Sequence, residues 1–421
     1  MPDPYLLDPY AGNILTAGLG PLRSRPELVK CLTELPPIPK NFDGVPPHVL
    51  LHYLMAVRNF HLPGLEEFRL HETIELMVRP NYQALDPTKA QTWAIVSGEN
   101  SRPKRPWPPS FAAAVVGISG TGKSEAILRC LNSYPQQVIN HTSFPQLQGN
   151  HQQVVWLSLD VPASGRAVDL ARALMLAWHR ATGGTRFSIP LSKQHLDGMR
   201  TLAEWQQVAT AHFLGILHLD EVQNFFKLPS LKKRTKRAGM SDAPELSIVE
   251  DQALRWILTL INTWHIPLLV SGTPDGIGAF TRRLSNTERI VTSGYHAFHP
   301  FESSTDPAFI QFLQQLGRYQ YVRKKIAIDE PLAGLIFELT GGIQRVIIAL
   351  WIAAQRLAIE RSEGDLRLEN FKRAAATFLA PVAPAIAALR SKDPVKMSKY
   401  EDLMPREDQF WSQFWNSVSR I

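Results

Sequence analysis

Apolar positions through the middle of the chain form two alternating kinds of run. FAAAVVGI (111–118), QVVWLSLDVP (153–162), FLGILHLDEVQ (213–223) and IPLLVSGTPDG (266–276) are short and nearly continuous, as expected of strands buried on both faces. Between them, KSEAILRCLNSY, RAVDLARALMLAWHRATG (166–183) and DQALRWILTLINTWHIP (251–267) repeat apolar residues at helical spacing. Strands alternating with helices predict an α/β fold, a parallel sheet flanked by helices. Upstream, VPPHVLLHYLMAVRNF (45–60) and LEEFRLHETIELMVRP (65–80) predict helices, the second stopping at Pro80. Residues 301–380 show no strand pattern and read as helical. GENSRPKRPWPPS (98–110) reads as a boundary, since proline removes backbone donors. The expected division is a mostly helical region 1–97, an α/β body 98–300, a helical domain 301–380 and a tail 381–421 ending in FWSQFW.

The first strand runs into Gly117-Ile-Ser-Gly-Thr-Gly-Lys-Ser124, which satisfies G-x-x-x-x-G-K-[ST]. Its glycines let the backbone curl so that N–H groups point at phosphate oxygens, and the following helix adds its positive end. Gly117, Ser119, Gly120, Thr121, Gly122, Lys123, Ser124 and Glu125 are therefore the candidate nucleotide cradle. Lys123 is expected on the β- and γ-phosphates and Ser124 on Mg²⁺. Asp220 and Glu221 end the third strand, where an acid faces the ligand crevice. Asp220 suits Mg²⁺, directly or through water, and Glu221 suits activation of the attacking water. Ser271-Gly272-Thr273 ends the fourth strand, with Thr273 the candidate for reporting the γ-phosphate. Arg282, Arg283 and Arg289 in FTRRLSNTER are candidates for an arginine supplied in trans. Arg345, in the first turn of a helix after Gly341-Gly342, is placed to reach the γ-phosphate from the helical domain.

Charge adds one further candidate. The net charge is +7, which permits a nucleic-acid partner without demanding one. Lys227, Lys232, Lys233, Arg234, Lys236 and Arg237 fall in one run shortly after the acidic pair, with no acid among them. Such a run is either a solvated loop or a contact to a DNA backbone. Arg102, Lys104 and Arg105 form a weaker cluster, and no aromatics interleave with either. The two cysteines, Cys31 and Cys130, are too few for a disulfide framework, fit a reducing cytoplasm, and read as small core residues. MPDPYLLDPYAG lacks the order of a signal peptide, and no apolar run approaches the length of a membrane span.

Taken together, GISGTGKS, VVWLSLDVP, LHLDEVQN, INTWHIPLLVSGTP and LTGGIQRVIIALWIAAQRLAIE resemble AAA+ ATPases, and more narrowly the TnsC regulators of Tns-type transposons and their TniB relatives. The resemblance covers residues 110–375. It implies an AAA+ P-loop NTPase with a helical lid, ATP and Mg²⁺ as ligands, and a ring or spiral of about six or seven subunits on double-stranded DNA. It further implies a TnsD/TniQ-type target selector and TnsA/TnsB-type transposase subunits as partners, and a bacterial, nucleoid-associated setting with no membrane. Lys123 and Ser124 would bind nucleotide and Mg²⁺, Asp220 and Glu221 would complete the metal and water site, and Arg345 would sense from the lid. Arg282 or Arg283 would be the trans arginine. The basic insertion at 227–237 departs from the family pattern. A helicase loader or initiator, and a scaffold ATPase gated by nucleotide, are the alternative readings; a small-molecule kinase fits the acid pair least.

Overall fold

The computed structural model describes residues 8–38, 42, 44–97, 111–227, 247–248, 251–263, 266–274, 276–278, 291, 293–360, 364–397 and 400. The stretch 98–110, Lys232, Lys233, Arg234, Lys236, Arg237, Arg282, Arg283, Arg289 and the aromatic tail lie outside the described residues.

Helices α1 (Arg25–Leu32), α2 (Pro47–Leu54) and α3 (Leu65–Ala84) precede the α/β body. The body runs β1 (Ala112–Gly117), α4 (Lys123–Asn132), β2 (Val138–His141), β3 (His151–Val154), β4 (Trp156–Asp160), α5 (Ala167–Thr182) and α6 (Gly198–Ala211). It continues through β5 (Ile216–Asp220), α7 (Asp251–Thr263), β6 (Leu268–Gly272) and β7 (Gly294–Phe298). Helices α8 (Pro307–Leu316), α9 (Glu330–Thr340), α10 (Gln344–Glu360) and α11 (Leu368–Phe378) follow. The central sheet has the order β4-β5-β6-β1-β7, and every described pairing in it is parallel. No single described helix is long and apolar enough to cross a membrane.

Alternation along the strands gives each sheet face its own core. Ala114, Leu217, Leu219 and Val270 face α5, α6 and α7, where Trp178, Trp205 and Trp256 meet edge to face at centroid distances of 6.3 and 6.0 Å. Ala113, Val115, Ile216 and Leu269 face the other way, onto Ile127 and Cys130 of α4 and Leu70, Ile74 and Met77 of α3. The N-terminal helix α3 thus shares a core with the helix that follows the glycine loop. A third cluster packs α8–α11 around Trp351, and Leu54, Val57 and Phe60 from the N-terminal region enter it. Each large side chain so buried contributes about 1.5–3 kcal/mol.

Several expectations need correction. Helix α3 does not stop at Pro80 but continues to Ala84. The proline leaves the Leu76 carbonyl without its helical donor, yet Leu76 is 55% exposed and solvent reaches that turn. Contacts on both sides hold the helix: Arg79 Nη2 donates to the Gly20 carbonyl (3.0 Å) and Tyr82 Oη to that of Phe213 (2.9 Å). QVVWLSLDVP is two strands, because β3 pairs antiparallel with β2 before the chain crosses into the sheet as β4. The sheet also has a fifth strand, GYHAF, whose edge position leaves it too polar to show an apolar run. Cys130 is buried as expected, whereas Cys31 is exposed, since α1 turns it away from the core.

Candidate nucleotide site

The glycine loop is shaped by its neighbours. A Cβ at Gly117 would stand 2.5 Å from the Phe298 carbonyl oxygen and 2.8 Å from Thr121 Oγ1, so only glycine fits there. Gly120 and Gly122 have φ of 88° and 91°, the left-handed region that curls the loop and turns successive N–H groups inward. Thr121 Oγ1 donates to the Ile118 carbonyl at 2.9 Å, and Lys123 Nζ donates to the same oxygen at 3.1 Å. Lys123 begins α4, so the lysine and the positive helix end meet at one point.

The acidic end of β5 stands against this loop. Ser124 Oγ donates to Asp220 Oδ2 at 2.5 Å. Asp220 Oδ1 accepts from Ser271 Oγ at 2.5 Å and from the Glu221 N–H at 2.8 Å. Burial raises the Asp220 pKa, but the His218 ring and these three hydrogen bonds outweigh it, and the carboxyl lies below its ordinary value. At neutral pH the ring is uncharged, being pushed down to about 4 by burial, so there the hydrogen bonds hold Asp220 ionised. Glu221 differs completely from its neighbour. It is exposed, has φ 57°, and accepts a hydrogen bond from Gln223 Nε2.

The helical domain closes the site. Arg345 Nη2 donates to Ser119 Oγ at 2.8 Å, and the Arg345 N–H donates to the Gly120 carbonyl at 3.2 Å. A Cβ at Gly120 would also meet Ile343 Cγ2 at 2.9 Å, so loop and lid touch backbone to side chain. Between them lies a cleft of about 1050 Å³. Ser119, Gly120, Gly122, Lys123, Ser124, Glu125, Glu221, Thr273 and Arg345 all line it. Glu125 pairs with Arg129 at 2.7 Å, and Arg129 also reaches Glu34 at 2.9 Å. Thr273 is buried, and its Oγ1 accepts from the Gly276 N–H at 3.4 Å; it is Ser271, two residues earlier, that touches Asp220.

The far end of the cleft was not foreseen. Met55, Phe60 and Leu62 come from the N-terminal region, Phe312 from α8, and Ile348 and Ile352 from α10. Together they make an apolar end with Arg58 and Arg356 among the lining groups. His61 anchors its N-terminal wall, with Nε2 3.0 Å from Glu67 Oε2 and backbone bonds to Glu34. The three segments are far apart in sequence; the pattern marked 45–60 and the helix after Gly341-Gly342 as helical but gave no sign that they meet at one cleft.

Ser124 and Asp220 supply the hard oxygens that Mg²⁺ prefers, on a buried carboxylate already ionised. No group of three His, Cys, Asp or Glu side chains is placed to hold a metal among the described residues. The fit is therefore to a cation that completes its shell with phosphate oxygens and water. Residues 112–278 match the family model described as an AAA domain. The α/β body is an AAA+ domain of the P-loop NTPase class. Solved structures similar to the chain include Drosophila ORC bound to DNA, at 11% identity and TM-score 0.45, covering 90% of this chain and 74% of that one. They also include the Aeropyrum pernix ORC1 protein in complex with DNA, at 16% identity and TM-score 0.45, covering 83% and 72%. No curated protein matches the chain. The AAA+ body thus carries the glycine loop, the Asp220–Glu221 pair and the Ser271–Thr273 strand end within the matched residues.

Proposed function

We propose that this chain binds ATP with Mg²⁺ in the cleft, hydrolyses it, and uses the cycle to assemble on double-stranded DNA as a TnsC-type regulator of transposition. The observation that carries the nucleotide-driven part is the contact from Arg345 in the lid to Ser119 in the glycine loop. A cation on the lid within hydrogen-bond reach of the phosphate cradle ties lid position to the charge of the bound nucleotide.

Within this reading the loop N–H groups and Lys123 bind the phosphates, and the adenine takes the apolar end beside Phe60 and Ile352. Ser124 and Asp220 would hold Mg²⁺, which supplies charge neutralisation at the β- and γ-oxygens. Glu221 lines the cleft and is exposed where Asp220 is buried, so it orients the attacking water and takes its proton. Thr273 stands near the γ-phosphate end, and Arg282 or Arg283 completes the site of a neighbouring subunit. Lys227, Lys232, Lys233, Arg234, Lys236 and Arg237 follow Glu221 closely in sequence and contact the DNA backbone. Support for the transposition role is the resemblance of GISGTGKS, LHLDEVQN and the LTGGIQR helix to TnsC and TniB, whose partners would be TnsD/TniQ-type selectors and TnsA/TnsB-type transposase subunits. Residues 1–97 and 381–421 would face those partners.

Electron microscopy with a non-hydrolysable ATP analogue, with and without duplex DNA, tests the assembly. Nucleotide-dependent rings or spirals threaded by DNA are expected. Particles that stay monomeric with both ligands present would overturn the reading.

A further inference from the structure

Along the sheet face that carries α4, residue type changes with distance along the strands. Near the strand starts this face is apolar, with Ala113, Ile216 and Leu269. Two and four residues past Ile216, the same face of β5 presents His218 and Asp220. Ser158 of β4 stands opposite His218 in the register, and Ser271 of β6 lies two residues past Leu269. Four polar side chains from three strands therefore replace the apolar face just where the sheet meets the glycine loop.

His218 is 1% exposed, and a buried imidazole is tolerated only with its nitrogens partnered. Both are. Nδ1 lies 2.8 Å from Ser158 Oγ, and Nε2 lies 2.8 Å from Ser271 Oγ. Proton counting then gives the row a direction. Ionised Asp220 only accepts, so Ser271 spends its single proton on Oδ1. The Ser271 oxygen can then receive a bond from the ring only if Nε2 carries hydrogen. In a neutral ring that leaves Nδ1 bare, to accept the Ser158 hydroxyl proton.

The far end of this row has a consequence for the carboxylate. Oδ1 is engaged by Ser271 and by the Glu221 N–H, so the group cannot turn about its own axis without losing both. Oδ2 is left on the side of Ser124. We propose that His218 is a positioning residue for the nucleotide reaction: braced by Ser158 and protonated on Nε2, it orients Ser271 so that Asp220 keeps Oδ2 turned towards Ser124 and the cation they share. The reaction role rests on the nucleotide reading above; the hydrogen-bond row does not. An apolar residue at 218 would extend the packing of Ile216 and Leu269, so the polar choice acts on Asp220 rather than on the core.

Two measurements on the full chain test this. In ¹⁵N-histidine-labelled protein at pH 8, the His218 ring, assigned by its loss in His218→Gln, should show a protonated Nε2 and a bare Nδ1. A ring protonated on Nδ1 and bare on Nε2 overturns the row. In steady-state ATP turnover, His218→Leu should lower kcat about tenfold and raise the Mg²⁺ concentration for half-maximal rate several-fold, with KM for ATP within about twofold. His218→Gln, whose amide N–H can still donate to Ser271, should recover most of the loss. A folded His218→Leu protein with unchanged kcat and Mg²⁺ dependence overturns the proposal. If that variant does not fold, Ser158→Ala should shift the Nδ1 resonance and raise the Mg²⁺ midpoint about twofold; movement of neither overturns it. A wild-type chain that turns over no ATP overturns the nucleotide reading and the reaction role with it, whereas a wrong tautomer overturns the row alone.

Discussion

The two ends of the cleft are built in opposite ways. At the phosphate end, Gly117 to Ser124 are contiguous, and Asp220 is held by bonds of 2.5–2.8 Å from Ser124, Ser271 and the Glu221 N–H. At the other end, Phe60, Phe312 and Ile352 belong to the N-terminal region and two lid helices, and nothing but packing joins them. The first end is fixed by directional bonds and, in the reading proposed above, would recognise charge. The second is a shape lined by lid and N-terminal side chains together, and in that reading would recognise a flat apolar group. Arg345 bonds from the lid across to the phosphate end.

That contrast is open to direct attack. The largest expected effect comes from Lys123→Ala, which should weaken ATP binding by about a hundredfold while leaving adenosine binding nearly unchanged. Titration of fluorescent nucleotide, with adenosine as competitor, reads both; equal losses for the two ligands would erase the distinction between the ends. Ala349 also lines the cleft, next to Ile348 in the chain, and Ala349→Phe should weaken ATP, ADP and adenosine alike, by about tenfold. A loss confined to ATP in the same titration would place that residue at the wrong end. Arg345→Ala should cost ATP several-fold and ADP little, if of the phosphates only the γ-phosphate reaches Arg345. Identical losses for ATP and ADP would remove the lid from γ-phosphate recognition.

The smallest effect is on stability. His218 and His151 are both pushed down to about 4, His218 by burial alone against the opposing charge of Asp220, and His151 by burial with His212 and His141. Their folded values lie below the unfolded value near 6.5, so the unfolded chain binds more protons in between. Stability is therefore full above about pH 6.5 and falls as pH drops towards 4. Thermal unfolding should show a midpoint lower by a few degrees at pH 5 than at pH 7.5, a difference that shrinks in His218→Gln. A midpoint that rises on acidification would reverse the sign.

How much of this was legible in the sequence follows from the same contrast. The parallel sheet could be read because its central strands are buried on both faces, which leaves continuous apolar runs. The edge strand GYHAF could not, since one face is spared and polar residues enter. The glycine loop and Asp220-Glu221 stand out because their chemistry is packed into consecutive residues. The apolar end spreads over Met55 to Leu62, Phe312 and Ile348 to Ile352, and each piece alone looks like core. Pro80 misled because a local rule was overridden by Arg79 and Tyr82 contacts made far along the chain. His218 carried a faint signal, since ILHLD places it on the face of Asp220, yet its two serines lie on other strands.

The central claim is that the adjacent acids divide the work, Asp220 held still and Glu221 left to act on water. Nucleotide affinity and ATP turnover, measured on the same preparations of wild-type and Glu221→Gln protein, test it most directly. The account predicts ATP affinity within about twofold of wild type and turnover reduced at least about a hundredfold. Wild-type turnover in Glu221→Gln would contradict it.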